Sequence, residues 1–324
     1  MSATELEAVL EHARKRTEAL LEPLDDEQLT RQVSPLQSPL VWDLAHIGYF
    51  EEHWLLRNGN GELGDLYDSF AHERAERGTL PILSPGEARA YVRKVREEVL
   101  ERLPELAKDD FLVGMVAQHE LQHVETMIQT LALAGLAGAD QLPKVEAGGD
   151  VLVPGGPFTL GSDEPWAYDN ERPAHVVDLP PFRIDRALVT NAEYGEFASS
   201  PDAGGEDEPV QHVSFDAAEA YARWVGKRLP TEPEWEKAAK LLDDELEHAR
   251  GAVWQWTSSF FDGYPGFRAF PYREYSEVFF GQTYRVLRGG SWVTDPLVAR
   301  TTFRNWDLPE RRQIFSGIRC ASDA

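Results

Sequence analysis

The chain has 324 residues, of which 42% are hydrophobic, and this length predicts about two domains. Its single cysteine, Cys320, excludes a disulfide framework and a thiolate metal cluster within the chain. The net charge of -24 argues against nucleic acid or an anionic membrane as partner. No apolar run reaches the roughly 20 residues of a membrane span, and the first residues lack the apolar core of a signal peptide. We therefore expect a cytoplasmic protein without membrane contact.

Four helices are predicted in the first part of the chain, because apolar side chains recur there at three-to-four spacing. They cover residues 3–21, 40–56, 84–103 and 109–135. Ser38 and Pro39 are typical of the start of the second helix, and Ser84 with Glu87 of the start of the third. We expect an antiparallel four-helix bundle, a fold in which metal sites are built from inward-facing side chains of facing helices.

The fourth predicted helix contains the letters HELQH at residues 119–123. Residues four apart lie on one face of a helix, about one turn from each other, so His119 and His123 can bind the same metal ion. Imidazole suits zinc, copper, iron and nickel, and the pair alone does not name the metal. His46 in the second helix is the candidate for a third ligand, and His53, seven residues later, is its rival.

Two other interpretations of these histidines stay open. The letters also fit the HExxH pattern of zinc metalloproteases, with Glu120 as the base, although that chemistry needs a substrate cleft against a strand edge and no such strand precedes the motif. The histidines could also fill the bundle core, which would require a partner for each buried nitrogen. Clustered imidazoles in an apolar helix are costly without a ligand, and this favours the metal site.

Glycine, proline and short β-prone runs replace the helical periodicity after Gly135. We place a domain boundary within residues 138–150 and divide the chain into domains at 1–145 and 146–324. The second part predicts short strands and long loops, with helices at about 214–226 and 231–242. The expected fold class is therefore α+β.

Most of the second part resembles the formylglycine-generating-enzyme or sulfatase-modifying-factor fold, which is related to C-type lectins. The matching motifs are GGPF at 155–158, GS at 161–162, VTNAEY at 189–194, GKRLPTE at 226–232, WQWT at 254–257, LRGGSW at 287–292 and GIRC at 317–320. Formylglycine-generating enzymes use a pair of cysteines to bind copper, and this chain has one cysteine. The resemblance therefore implies the fold and not that activity.

The first part resembles DinB-like bundles, and the two parts in this order resemble the ergothioneine-biosynthesis sulfoxide synthases, or hercynine oxygenases. The closer match consists of LAHI at 44–47, HELQHVET at 119–126, FRNWD at 303–307 and RRQIF at 311–315. The resemblance implies a non-haem Fe(II) enzyme that uses O2 to join a thiol to the imidazole C2 of trimethylhistidine, giving a sulfoxide. The thiol substrate would be cysteine or γ-glutamylcysteine.

The same resemblance implies roles for individual residues. The implied metal ligands are His46, His119 and His123, and the implied substrate contacts are Gln122, Asn305, Trp306 and Asp307. A trimethylammonium group is recognised by aromatic faces, which suits Trp306. Asp307 would balance charge or bind the α-amino group of the thiol. The expected catalytic proton donor is Tyr272, with Tyr275 as second candidate, and the alternative is that both tyrosines only pack.

Arg74 and Arg77 lie three residues apart in the loop between the second and third predicted helices. They are candidates for binding the carboxylates of the thiol substrate through forked hydrogen bonds, or they are solvated surface arginines. Arg311 and Arg312 are further candidates for the same task. Two alternative functions remain open on this fold: a selenium–carbon coupling synthase of the same superfamily and a metal-free binding protein.

Overall fold

The computed structural model describes residues 1–56, 63–136, 142–146, 148–199, 204–242 and 245–324. The chain divides into two units, Met1–Gly138 and Ala139–Ala324. Leu142 and Val145 fall within the second unit, where Leu142 packs with Leu188 and Val253 in a buried cluster. The division after residue 138 lies slightly before residue 145, where we placed the end of the first domain. The domain limits 1–145 and 146–324 stay a prediction.

Among its described residues, the first unit contains the predicted long α-helices, one short α-helix and two 3-10 helices, Gly64–Tyr67 and Arg74–Thr79. The bounds of the α-helices are α1 Ala3–Leu21, α2 Asp26–Thr30, α3 Leu40–Glu51, α4 Pro85–Leu106 and α5 Asp110–Leu133. The short helix α2 was not predicted, and it begins with a capping box between Asp25 and Gln28. The predicted second helix changes its hydrogen-bond pattern after Glu51 and continues as a π-helix, Glu52–Leu56.

The local signals at the ends and contacts of these helices explain the bundle. Ser84 and Glu87 form the predicted capping box at the start of α4. Helix α3 is buried at every position from Leu40 to Glu51, as expected of a helix that is apolar on all sides. It packs closely on α4 at Gly48, where an added Cβ would lie 2.8 Å from Val92 Cγ1. The glycine therefore sets the distance between the two helices.

A buried cluster of four charges connects α1, α3, α4 and α5. Glu120 accepts hydrogen bonds from Arg14 Nε at 2.8 Å and from Arg96 Nη2 at 2.9 Å. Glu51 accepts from Arg96 Nε at 2.5 Å and from Arg14 Nη2 at 3.0 Å. Each glutamate is fully buried. Two positive and two negative charges thus balance within the core, so that no charge is left buried without a partner.

In the described residues, the second unit contains three small antiparallel or mixed sheets, three α-helices and short 3-10 helices. The sheets have the strand orders β1-β4-β9, β2-β3 and β7-β6-β5-β8. The strands are β1 Asp150–Val153, β2 Gly156–Leu160, β3 His175–Leu179, β4 Phe182–Asp185, β5 Trp254–Phe260, β6 Arg285–Arg288, β7 Asn305–Asp307, β8 Ser316–Gly317 and β9 Ala321–Asp323. The helices are α6 Asn191–Phe197, α7 Phe215–Trp224 and α8 Glu232–Leu241. The predicted α+β fold class is confirmed, including the two helices expected near residues 214 and 231.

A second buried charge cluster lies beneath strand β7. Arg304 donates from Nε and Nη2 to the two carboxylate oxygens of Glu232, at 2.6 and 2.9 Å. Arg288 donates to the same Glu232 at 2.7 Å and also binds Glu236. Arg304 directly precedes Asn305, the first residue of β7. The start of that strand is therefore fixed by a forked ion pair.

Within the parts of the chain that the structure describes, no helix is both long enough and apolar enough to span a membrane.

We expect Arg96→Leu to lower the free energy of unfolding of the helical unit by about 3 to 5 kcal/mol, because it leaves Glu51 and Glu120 short of a buried partner. Denaturant unfolding followed by far-ultraviolet circular dichroism measures the change. Arg93→Leu is the matched control, since Arg93 is exposed on the same helix. Equal stability of the two variants would contradict the importance of the cluster.

Candidate metal centre

Three histidines meet between helices α3 and α5. His46 comes from α3, and His119 and His123 lie one turn apart on α5. Within the described ranges, this is the group of three whose potential ligand atoms all lie within 4.8 Å of one another. His46 Nε2 is 3.2 Å from His119 Nε2. The structure thus brings together the three residues that the sequence proposed as ligands.

The ring orientations are set by neighbours of different kinds. His46 Nδ1 is 2.7 Å from the carbonyl oxygen of Tyr67, so it carries the proton and leaves Nε2 as the lone-pair nitrogen. His123 Nδ1 is 3.2 Å from Asp43 Oδ1. This carboxylate oxygen likewise favours the proton on Nδ1 and leaves the lone pair on His123 Nε2. The His119 ring stacks on Phe50 with centroids 3.7 Å apart.

Burial and neighbouring charges favour the neutral form of the His46 and His119 imidazoles. Burial, followed by the proximity of His123, lowers the pKa of His46 well below its ordinary value. Burial, followed by the proximity of His123 and His46, lowers the pKa of His119 in the same direction. A neutral imidazole offers a lone pair to a metal ion, whereas a protonated one cannot. The lowered pKa values of His46 and His119, together with Nδ1 partners on His46 and His123, therefore fit a bound transition metal.

Glu120 belongs to the charge cluster and not to the metal group. Burial alone would raise the pKa of Glu120, but the charges of Arg14 and Arg96 outweigh it and hold the pKa below its ordinary value. Both of its oxygens accept hydrogen bonds from these arginines, and one also accepts from Thr17. A carboxylate held in this way is a poor general base. The HExxH letters thus contain two histidines of the candidate metal group and a glutamate of the charge cluster.

His53, the rival of His46, lies outside the group. Seven residues along a helix correspond to a distance of about 10 Å, too far to replace His46 at one ion. His53 lies in the π-helix, with its ring 5.1 Å from that of Trp54 and 6.0 Å from that of Tyr49.

Gln122 is three residues after His119 and so lies on the same side of α5. It is half-buried, and its Nε2 donates to the carbonyl of Gln118 at 3.3 Å.

The two candidate arginines have different environments. Arg77 is buried, and its guanidinium donates to Ser38 Oγ and to the carbonyls of Ser69 and His72. Its Cζ lies 3.8 Å from the ring centroid of Trp42, which in turn stacks on His46 at 4.9 Å. Burial lowers the pKa of Arg77 to about 10. Arg74 is exposed, with Nη1 3.4 Å from the carbonyl of Leu36.

The second unit gathers several of its candidate residues in one aromatic cluster. The Trp306 ring stacks on Phe261 at 4.1 Å and meets Tyr275 edge-on at 6.0 Å. Tyr275 stacks on Tyr168 at 4.3 Å and meets Tyr272 edge-on at 6.1 Å. Burial, followed by the neighbouring Tyr168, raises the pKa of Tyr275 well above its ordinary value. Tyr272, Tyr275 and Trp306 are therefore neighbours within this unit.

The polar candidates flank that cluster. Asn305 Oδ1 accepts from the backbone N–H of Trp306 at 2.9 Å. Asp307 Oδ1 accepts from the N–H of Leu308, and its Oδ2 lies 3.7 Å from Arg311 Nε. Arg312 is exposed. Asp307 thus already has a nearby positive charge on its own loop.

Comparison with known proteins agrees with this architecture. The DinB superfamily matches residues 9–127, and the sulfatase-modifying factor enzyme 1-like domain matches residues 137–245 and 243–324. Hercynine oxygenase from Mycolicibacterium smegmatis is 44% identical, covering 96% of this chain and 97% of its own. Hercynine oxygenase from Mycobacterium tuberculosis is 43% identical, covering 99% of each. The chain belongs to the hercynine oxygenase family.

Membership of the hercynine oxygenase family makes the chain an oxidoreductase. A formylglycine-generating enzyme from Streptomyces coelicolor is also similar, at 28% identity over 54% of this chain and 90% of its own. That match covers little more than half of the chain, whereas the match to the hercynine oxygenases includes both units. The resemblance inferred from the motifs is therefore confirmed at the level of family and fold.

Sequence reasoning missed some of the residues that surround the histidines of this hercynine oxygenase family member. Asp43 and the carbonyl of Tyr67 contact ring nitrogens of His123 and His46, and Phe50 and Trp42 stack on the rings of His119 and His46. One signal was present: Asp43 is an acidic residue in the otherwise apolar run from Leu40 to Ile47 and lies three residues before His46. The carbonyl contact has no sequence signal.

We expect Glu120→Gln to lower the free energy of unfolding by about 3 kcal/mol at neutral pH. The pKa of Glu120 is depressed in the folded state, so its contribution is present above the unfolded value of about 4.3 and is lost as the pH falls through the folded pKa. The difference between wild type and variant should therefore shrink in acid, as measured by unfolding at several pH values. Glu97→Gln, at an exposed position, is the control. A fully stable Glu120→Gln variant that has lost a hydrolytic activity would instead support the protease interpretation.

Proposed function

We propose that the chain uses iron(II) and O2 to form a C–S bond between the imidazole C2 of trimethylhistidine (hercynine) and a cysteine-type thiol, giving a sulfoxide in ergothioneine biosynthesis. The observation that carries the proposal is the three-histidine group within a chain that matches hercynine oxygenases over nearly its full length. The names of those relatives support the substrate, and the donor set supports a metal-dependent oxygenase.

His46, His119 and His123 would hold the metal through three neutral nitrogens. Bound iron(II) would supply electrons for dioxygen and would deprotonate a coordinating thiol. A three-nitrogen donor set leaves coordination positions for substrates, in contrast to a closed structural site. The burial that lowers the pKa values of His46 and His119 would also limit the access of water to the reacting groups.

Residues of the chain would orient the organic substrate. The Gln122 amide, on the same side of α5 as His119, would hydrogen-bond the substrate imidazole. The Trp306 ring, supported by its stack on Phe261, offers a rigid π face for the trimethylammonium group. Asn305 and Asp307 would contact the polar parts of the two substrates. Asp307 carries the negative charge suited to an ammonium group, and the nearby Arg311 moderates that charge.

The thiol substrate would be anchored by its carboxylate. Arg74 is the better candidate of the arginine pair, because it is exposed whereas Arg77 is buried. The buried contacts of Arg77 with Ser38, His72 and Trp42 support a role in shaping the loop beside His46. Arg311 and Arg312 stay alternatives. Cysteine and γ-glutamylcysteine are both compatible with this assignment.

The tyrosine pair would supply the proton. Tyr272 is the preferred donor, because Tyr275 is held between Tyr168 and Trp306 with a pKa raised by burial. Tyr275 would then position Tyr272 through their edge-on contact.

The first test is metal binding followed by turnover. Wild-type protein purified without oxygen should bind one iron(II) ion per chain, and His119→Ala should lose this binding, because two nitrogens hold the ion far less tightly than three. With iron(II), O2, trimethylhistidine and a thiol, mass spectrometry should detect the sulfoxide. His12→Ala, at an exposed position of α1, controls for the loss of any histidine.

Each negative result points to a different function. Failure to couple every plausible thiol, with coupling of a selenium donor instead, would support the selenium–carbon synthase. Absence of stoichiometric iron uptake would support a binding protein, and activity that persists without oxygen would support a zinc hydrolase.

We expect Tyr272→Phe to redirect turnover from the sulfoxide toward dioxygenation of the thiol, because the proton needed for coupling is missing while the metal site is intact. The ratio of the two products, measured by liquid chromatography, reports the change. Tyr275→Phe is the matched variant and should change the ratio less. The reverse order would exchange the roles of the two tyrosines, and unchanged ratios in both would remove them from the mechanism.

A further inference from the structure

Asp43 is a buried carboxylate in direct contact with one of the three histidines. It lies in α3 one turn before His46, and it is 1% exposed. Its Oδ1 is 3.2 Å from His123 Nδ1, whereas its Oδ2 is buried without a hydrogen-bond partner among the described protein groups. A buried carboxylate with one incomplete contact is costly. We therefore ask which function of Asp43 would offset the free energy needed to bury its carboxylate.

Each of the three imidazoles is oriented by a different kind of neighbour. Among the described contacts, only one of these neighbours is a charged group. A backbone carbonyl accepts from His46, and an aromatic ring stacks on His119. His123 alone of the three has a carboxylate on its Nδ1. Arg77 is close enough for the carboxylate of Asp43 to raise its pKa against the larger lowering by burial, although its described hydrogen bonds go elsewhere. Arg77 is instead held by Ser38, Ser69 and His72.

We propose that Asp43 is a positioning residue of the metal centre, which fixes the Nδ1–H form of His123 and places a negative charge behind this ligand. A carboxylate on the distal nitrogen of a ligating histidine orients the ring and makes the ligand more basic. A metal dication among three neutral nitrogens also gains from a nearby anion. This inference rests on the proposed function insofar as the histidines must bind a metal.

Two substitutions separate orientation from charge. Asp43→Asn keeps the size and an oxygen acceptor for His123 Nδ1–H but removes the charge, whereas Asp43→Ala removes both. Asp109 provides matched controls, Asp109→Asn and Asp109→Ala, because it is exposed and its side chain makes no cap hydrogen bond at the start of α5. Circular dichroism verifies that each variant is folded.

The first measurement is the form of each imidazole in the metal-free protein. Nitrogen-15 NMR of labelled histidine, at a pH above about 6.5, should show the Nδ1–H form for His46 and His123 in the wild type. Asp43→Ala should change His123 to the Nε2–H form and leave His46 unchanged, because the carbonyl of Tyr67 is still present. A purely structural role of Asp43 would not produce this residue-specific change.

The second measurement is the dissociation constant for iron(II), determined without oxygen and without substrates. We expect binding to weaken about 10-fold in Asp43→Asn and about 100-fold in Asp43→Ala, with no change in the Asp109 variants. Wild-type affinity in both Asp43 variants would overturn this inference and leave the proposed function intact. If Asp43→Ala does not fold, the affinity of Asp43→Asn decides. A wild-type protein that binds no iron would overturn the proposed function itself.

Discussion

The position of helix α5 depends on the buried charge of Glu120. This carboxylate lies in the core of the bundle and is bound by Arg14 from α1 and Arg96 from α4. Because the two arginines come from different helices, α5 cannot rotate about its axis without breaking a buried ion pair. Successive residues of a helix differ by about 100° in direction, so fixing Glu120 also fixes the directions of His119 and His123 on the neighbouring faces. The charge cluster thus orients the two histidines without contacting them.

Burial of the histidines has two linked effects. It lowers the pKa values of His46 and His119, which keeps their lone pairs available to a metal. It also requires that the remaining ring nitrogens find partners inside the protein. The carbonyl of Tyr67 and the carboxylate of Asp43 meet this requirement for two rings. The burial of the histidines therefore makes these neighbours necessary, and the neighbours select which ring nitrogen keeps its lone pair.

Local sequence signals predicted much of the first unit. The periodicity gave the long helices, and HELQH with His46 gave the histidine group. The capping box of Ser84 and Glu87 gave the start of α4, whereas Ser38 makes no cap at α3, which begins after Pro39. Contacts between segments that are distant in sequence could not be predicted from these local signals. Asp43 and His123 are 80 residues apart in sequence, and their contact depends on how α3 packs on α5. The burial of Arg77 beside Trp42 likewise follows from tertiary packing, since its charged neighbours in sequence indicate a surface position.

Each of the two units has a buried cluster of two arginines and two glutamates beside its candidate site residues. In the first, Arg14 and Arg96 bind Glu51 and Glu120, next to His119; in the second, Arg288 and Arg304 bind Glu232 and Glu236, next to Asn305. A buried quartet of this kind has no net charge, and its net contribution to stability is small compared with apolar packing. Its hydrogen bonds are directional, however, and apolar contacts are not. Such clusters therefore suit positions where the direction of the chain matters more than its stability, and we propose that the positions beside His119 and Asn305 are of this kind.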